Sequence, residues 1–345
     1  IRSYSGVPND PLFSDLWGLE NTGQTGGTVD ADIDASAAWD TSTGSGAVVA
    51  VIDSGVDYAH EDLTGSMWTN PGETAGDSID NDGNGYVDDI VGIDAFGDDS
   101  DPTDDHGHGT HVAGTVAAVG NNSVGVTGVA YEADIMALRA GGPSGLSDAD
   151  AIECINYAID MKLNHGVNVV AINASWGSYA YGSALEDAVQ AAGDVGIVFV
   201  AAAGNDNVDI DATPHYPAAF DCTNVISVGA SNPYDQRANY SGWGSNYGET
   251  NVDLFAPGVD ILSTYAADSG IYWAASGDFF FDDMESGAGS WTATGTWAIT
   301  EEMVTSPTHS WSDSPSGDYT NSSDSSLSTA TLDLSSLSSS RVCVG

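Results

Sequence analysis

Basic side chains are nearly missing from this chain: five lysines and arginines stand against 51 aspartates and glutamates, a formal net charge of −46. That excludes nucleic acid as a partner, because phosphate contacts are made by Lys and Arg. Surplus acid gives a solubilising surface of the kind found on salt-adapted proteins, and carboxylates also ligate calcium, a cation that takes oxygen ligands. Cysteine is scarce too. Cys154, Cys222 and Cys343 do not make a disulfide framework; they leave one bridge with a spare thiol, or buried free thiols. No run of 18 or more apolar residues occurs, so no membrane span is read. The opening IRSYSGVPNDPLF lacks the apolar stretch of a signal peptide, which is expected of a mature or trimmed form.

What is present is alternation. VVAVID (48–53) is a short apolar run ending in a carboxylate, and HGTHVAGTVAAV (108–119) has helical composition with small residues. In 148–166, Ala151, Ile152, Ile155, Ala158, Ile159 and Leu163 fall on one helical stripe that Gly166 ends. VNVVAIN (167–173), IVFVAAA (197–203) and NVISVGA (224–230) read as buried strands, with a second helix over 183–196. Strand–helix–strand order predicts an α/β fold, a parallel sheet with helices on both faces. After residue 286 the pattern changes: 26 of the last 60 residues are Ser or Thr, in stretches such as WTATGTWAIT. Short alternating strands and three tryptophans (Trp291, Trp297, Trp311) point to a small all-β module rather than a Ser-rich linker.

Three short stretches bear on chemistry. Asp53 ends a buried strand, and the carboxyl edge of a parallel sheet is where α/β folds place ligands; taken alone it is as well explained by a turn or a helix cap. His108 in DDHGHGTHVAGT is held at a helix start among glycines that let backbones approach. The His108/His111 pair lacks the His-Glu-x-x-His pattern of zinc proteases, so zinc is not expected. Asn205 follows VFVAAAG; its amide is a potential donor to an oxyanion, or simply a loop residue.

In order, VIDSG, HGTHVAG and AAGN resemble the subtilisin-like serine proteases, the subtilases. The resemblance covers about residues 7–277 and includes INASWGS (172–178) and FAPGVDILST (255–264). It implies a subtilisin-like parallel sheet and peptide-bond hydrolysis by an Asp-His-Ser mechanism. By position, Asp53 matches the orienting aspartate, His108 the general base and Asn205 the oxyanion donor. Ser175-Trp176-Gly177 and Ala202-Ala203-Gly204 match the two walls of the substrate cleft. The implied domains are an N-terminal extension (1–40) packing on an incomplete peptidase domain (41–277), then a partial β-sandwich module (278–345). The family's nucleophile stands in a TSMAxPHVAG segment after Ser-Gly. Here Ser276-Gly277 is followed by DFFFDDMESG, and GTSMA occurs nowhere in the 345 residues. Ser290, among strand-like residues, has no helix to aim it. Either an internal segment has been lost, or the chain is a relative kept for binding.

Calcium is the expected cofactor. In DNDGNGYVDD (80–89), Asp80, Asp82, Asn84, Tyr86 and Asp88 occupy ligand positions of an EF-hand-like loop, with Gly85 at its turn. Glu is missing from the twelfth position, and Asp89 is available to close the shell. The resemblance to thermitase-like subtilases implies a second site, formed by Asp10, Asp62 and Asn122 with the carbonyls of Val119, Val124 and Val126. Asp94, Asp99 and Asp101 are a third candidate group. The sequence thus predicts a secreted, extracellular, calcium-stabilised serine endopeptidase, a monomer acting on protein or peptide substrates. The missing serine makes these 345 residues inactive, and leaves a non-catalytic peptide- or surface-binding protein as the second reading.

Overall fold

The computed structural model describes residues 7–142 and 145–266, and the backbone alone of 272–275, 291–294, 298–300, 310–312 and 326–329. The chain divides into two compact units, Ile1–Ser276 and Gly277–Gly345.

The first unit is built on one sheet. Its strands are β1 (Val48–Asp53), β2 (Gly92–Asp94), β3 (Asp134–Arg139), β4 (Val169–Ala174), β5 (Val198–Ala202), β6 (Val225–Asn232), β7 (Gln236–Arg237) and β8 (Leu254–Pro257). They lie in the order β8-β6-β5-β4-β1-β3-β2, with β7 paired antiparallel to the end of β6 and every other pairing parallel. The parallel pairing follows from the crossovers, which run through α1 (His108–Ala117), α2 (Asp148–Asn164) and α3 (Ser183–Asp194).

Strand alternation feeds two cores, one on each face. Ala50 and Ile52 of β1 and Met136 and Leu138 of β3 pack with Ile155 and Met161 of α2 and Val189 of α3. Val51, Ile135 and Ala137, the alternate positions, pack with Ala113 and Ala117 of α1. The N-terminal stretch closes this second core with Phe13, Leu16 and Trp39. Trp17 Nε1 donates to the Val259 carbonyl at 2.9 Å and Trp39 Nε1 to the Val129 carbonyl at 2.8 Å, so both buried indoles are satisfied. Ser147 caps α2, its hydroxyl accepting from the Asp150 amide at 3.2 Å. A hairpin of β9 (Ile261–Thr264) and β10 (Tyr272–Ala275) follows the sheet.

Cys154 and Cys222 are both free and buried, so the bridge left open by the cysteine count does not join them. Cys343 lies outside the described residues, as do Ser276, Gly277, Ser290 and the DFFFDDMESG stretch. In the second unit, β11 (Trp291–Thr294) pairs antiparallel with β14 (Ser326–Thr329), and β12 (Ala298–Thr300) with β13 (Ser310–Ser312).

Candidate active site

β1, β4 and β5 are neighbours running in one direction, so their carboxyl ends share an edge of the sheet. Asp53 is the last residue of β1, Ser175 follows β4 directly, and Asn205 lies three residues beyond β5. His108 is the first residue of α1, and its Nδ1 lies 2.7 Å from Asp53 Oδ1. Asp53 is buried at 5% exposure and the imidazole is 49% exposed, so the pair has an anchored end and an accessible end.

Glycine makes the approach possible. A Cβ on Gly109 would stand 2.1 Å from the Gly55 carbonyl oxygen and 3.0 Å from Asp53 Cβ. Any side chain there would push α1 off β1. Gly107, with φ of +98°, turns the chain into the helix where an L side chain is strained. Asp53 Oδ1 also accepts from the Ser54 amide at 2.8 Å, while its Oδ2 is buried without a hydrogen-bond partner among the described residues. The hydrogen bond that His108 donates to Asp53, and then the charges of Asp53 and Asp104, hold the His108 pKa above the ordinary histidine range, outweighing burial. The proton on Nδ1 is thereby favoured, which leaves Nε2 as the ring's basic atom. His111, three residues on, turns the other way, with Nε2 2.9 Å from the Ile261 carbonyl; the two rings do not form a metal pair.

The two segments expected to line the cleft are both braced. Trp176 Nε1 donates to the Ile52 carbonyl at 2.8 Å, propping the strand that ends in Asp53. Asn246, fully buried, donates to the Ala203 carbonyl at 2.8 Å and accepts from the Asp206 and Val208 amides at 3.0 Å each. It fixes the turn bearing the exposed Asn205, whose carbonyl accepts from the Gly244 amide at 3.1 Å. His215 lies close to both glycines: Cβ atoms added at Gly177 and Gly204 would come 2.4 and 3.1 Å from its Cε1. Burial lowers its pKa, and its Nδ1 has no hydrogen-bond partner among the described residues. Nothing near His215 in sequence marks it; only the juxtaposition of two glycines distant in the chain does.

The acidic loops sort differently from their spacing. Asp10 and Asp62, both buried, converge on the 119–126 loop. Asp10 accepts from the Asn121 and Asn122 amides at 2.8 and 3.0 Å, and Asp62 from Asn122 Nδ2 at 2.7 Å and the Val126 amide at 2.9 Å. The Val119 amide bonds the Asp62 carbonyl, and the Val124 amide the Asn122 side-chain oxygen. Asp10, Asp62 and Asn122 are thus brought together, with the carboxylates met by amide donors of this loop.

In the 80–89 loop, carboxylate oxygens of Glu73, Asp82 and Asp89 come within 4.8 Å of one another. Asn84 joins them through Nδ2, 2.8 Å from Asp89. Asp80 and Asp88 do not: Asp80 accepts from the Gly83 and Gly85 amides, and Asp88 from those of Gly76 and Ser78. Tyr86 directs its hydroxyl to Glu153 at 2.9 Å. Glu73 was not legible because it stands outside the repeating loop.

Asp94, Asp99 and Asp101 have other partners. Asp94 pairs with Arg139 at 3.3 Å, Asp101 accepts from the Tyr58 and Thr103 hydroxyls, and Asp99 from the Asp101 amide. With a guanidinium on Asp94, the group has neither the convergence nor the free charge of a calcium cage.

The sequence profile of the subtilase family (Peptidase_S8) matches residues 44–332, beyond the point at Gly277 where the motifs stop. Thermophilic serine proteinase of Bacillus sp. (strain AK1) is 40% identical over 241 residues, 69% of this chain and 51% of that protein. Thermitase of Thermoactinomyces vulgaris is 36% identical over 261 residues, 75% of this chain and 76% of thermitase. The chain thus spans about half the length of some of these curated relatives and three quarters of others. Among solved structures, a protease of Pseudoalteromonas arctica superposes with a TM-score of 0.62 at 31% identity, covering 79% of this chain and 82% of the other. A cold-adapted subtilisin-like serine proteinase gives 0.55 at 29%, covering 76% and 78%. The profile, the relatives and the folds agree that the chain belongs to the subtilase family.

Proposed function

We propose that this chain holds the acid–base and oxyanion parts of a calcium-stabilised, extracellular serine endopeptidase. The observation that supports the reading is the 2.7 Å contact between His108 Nδ1 and a buried Asp53. A serine hydroxyl is a weak nucleophile until an imidazole takes its proton. Here Nε2 is the group to take it, Asp53 stabilises the imidazolium that forms, and the Asn205 amide donates to the oxygen that becomes negative. Two relatives are named extracellular proteases, which supports the assignment to the outside of the cell. Protein chains entering between Ser175–Gly177 and Ala202–Gly204 are the proposed substrates, with one copy of the chain as the working unit.

Calcium would be held by Asp10, Asp62 and Asn122, and by Glu73, Asp82 and Asp89, where it would neutralise clustered carboxylates and tie loops together. Its role is stability, and no step of the chemistry passes through it. The domain division proposed from the motifs, 1–40, 41–277 and 278–345, stands as part of this reading.

A binding protein without turnover is the second reading, favoured by the lack of TSMA after Gly277. A serine-directed phosphonate separates the two. The 345-residue chain should not be labelled, whereas a version with the family's TSMAxPHVAG segment and downstream fold restored should be labelled and cleave casein in a His108-dependent way. Labelling of the unaltered chain would show that another serine is the nucleophile. A restored chain that folds yet stays unlabelled would favour the binding protein.

A further inference from the structure

Asp104 is 6% exposed and opens the DDHGHGTHVAGT stretch, ahead of His108. Its carboxylate accepts five hydrogen bonds. Oδ1 takes the His106 and Gly107 amides and the Ser54 hydroxyl, each at 2.9 Å; Oδ2 takes the Thr110 amide at 2.9 Å and its hydroxyl at 2.6 Å. The donors come from the loop leaving β1, the two residues before α1 and the first turn of α1. Ser54 is the pivot between them. Its amide donates to Asp53 Oδ1 at 2.8 Å, and its hydroxyl, besides donating to Asp104, accepts from the Gly109 amide at 3.0 Å. Thr110 makes the return link, its hydroxyl oxygen accepting from the Asp57 amide at 2.9 Å.

We propose that Asp104 is the positioning residue of the Asp53–His108 pair. It joins the exit of β1 to the start of α1, so that the carboxylate and the imidazole cannot move independently. Three features select this role over an ordinary helix cap. Gly107, at the N-cap position, offers no side chain, so the Thr110 amide in the first turn has Asp104 as its acceptor, while the Gly109 amide takes the Ser54 hydroxyl. The Ser54 link reaches the residue after Asp53, on a different element. And Asp105, the adjacent acid, turns away to Arg139 at 2.9 Å, so the role belongs to one carboxylate and not to a patch. The inference rests on reading Asp53 and His108 as the relay, but its readout needs no turnover, so a chain without peptidase activity tests it equally well.

The test is proton NMR of the full 345-residue chain, following His108 through its titration and the far-downfield Nδ1 proton shared with Asp53. Groups facing His108 are Asp53 from β1, Asp104 from the preceding loop, and the His106 ring at 6.4 Å. Asp104→Ala and Asp104→Asn should lower the His108 pKa and remove or broaden the downfield resonance. Ser54→Ala, which keeps every acid, should speed hydrogen exchange at the Gly109 amide about tenfold, the factor for one ordinary hydrogen bond, and weaken the same resonance. Asp105→Asn removes equal charge from the same loop and should change neither. If an Asp104 variant does not fold, Ser54→Ala decides. An unchanged His108 titration and resonance in folded Asp104 or Ser54 variants would overturn the proposal. So would an Asp105→Asn effect as large as that of Asp104→Asn, which would reduce the role to charge alone.

Discussion

At the level of single residues, the legible and illegible parts of the site divide along chain distance. Asp53, His108 and Asn205 could be read because each stands in a short string whose neighbours serve the same geometry: Gly109 for close approach, Gly204 for a turn at φ +104°. Asn246 and His215 act on segments far from them in sequence, and Asp104, besides its local amides, reaches the Ser54 hydroxyl across the fold; no local pattern reports those links. The resemblance supplied the roles, and the residues alone left each of the three open. Two expectations follow at this level. Asp53→Asn should lower the His108 pKa, since the bond to Asp53 is the main influence raising it. The linked stability has a definite sign. A histidine raised above its unfolded value of about 6.5 stabilises the fold fully below that value, and the contribution is lost as pH rises through the folded pKa. Thermal melts over this window should therefore flatten in the Asp53→Asn variant; an unaltered pH profile would count against an ion pair at this position. In a chain with the nucleophile segment restored, Asn205→Ala should lower kcat by about 10²–10³-fold, a figure drawn from this same family, with KM little changed. A loss confined to KM would place Asn205 in substrate binding instead.

Among the elements, the acidic loops show how regular spacing can mislead. The 80–89 stretch alternates acids as a calcium loop does, yet Asp80 and Asp88 spend their carboxylates on turn amides, while Glu73 enters from seven residues upstream of Asp80 and Asp89 from within the fold. Asp89 is fully buried and its pKa is raised, chiefly by burial, with the Tyr157 and Asn84 hydrogen bonds opposing. Calcium there would relieve the crowding of Glu73, Asp82 and Asp89. Chelation should lower the Tm, because a ligand bound only by the folded form at a hundredfold excess over Kd stabilises by about 2.7 kcal/mol. Glu73→Gln and Asp82→Ala should each remove part of that EDTA effect, and Asp80→Ala should not. A Tm indifferent to EDTA would leave the loops as solvated turns; equal losses from Asp80 and Glu73 variants would restore the EF-hand register. The Asp94 group fails as a metal site for a reason equally hidden from spacing. Arg139, at the end of β3, reaches Asp94 with its guanidinium and stacks over Phe96 at 5.4 Å. Both partners are largely buried, so Arg139→Leu should destabilise by about 3–5 kcal/mol, the usual cost of stranding a buried charge. Adding Asp94→Asn should recover much of it.

Taken whole, the molecule has little with which to balance its acids. Of its five basic residues, Arg139, Lys162 and Arg237 are described. Lys162 donates to the Val169 carbonyl at 2.6 Å, and Arg237 to Asn207 and the Ser245 carbonyl while stacking over Tyr247 at 4.5 Å. These cations brace backbone and loops, and with all five basic residues counted the net charge is still −46. Self-repulsion among like charges opposes the compact state. Fixed oxygen sites remove only two charges per calcium; mobile ions screen the remainder, with a Debye length of about 10 Å at 0.1 M salt. Two stabilising agents with different signatures are therefore expected. In EDTA, raising NaCl should raise the Tm steadily, and KCl should match it because screening does not distinguish the two. With calcium present the salt slope should be shallower, since part of the repulsion is already gone. Replacing several exposed aspartates remote from both calcium loops with asparagine should mimic salt without altering the EDTA effect. A Tm that falls with NaCl would mean that attractive pairs such as Asp94–Arg139 dominate over repulsion, which three described cations among so many acids make physically hard to sustain.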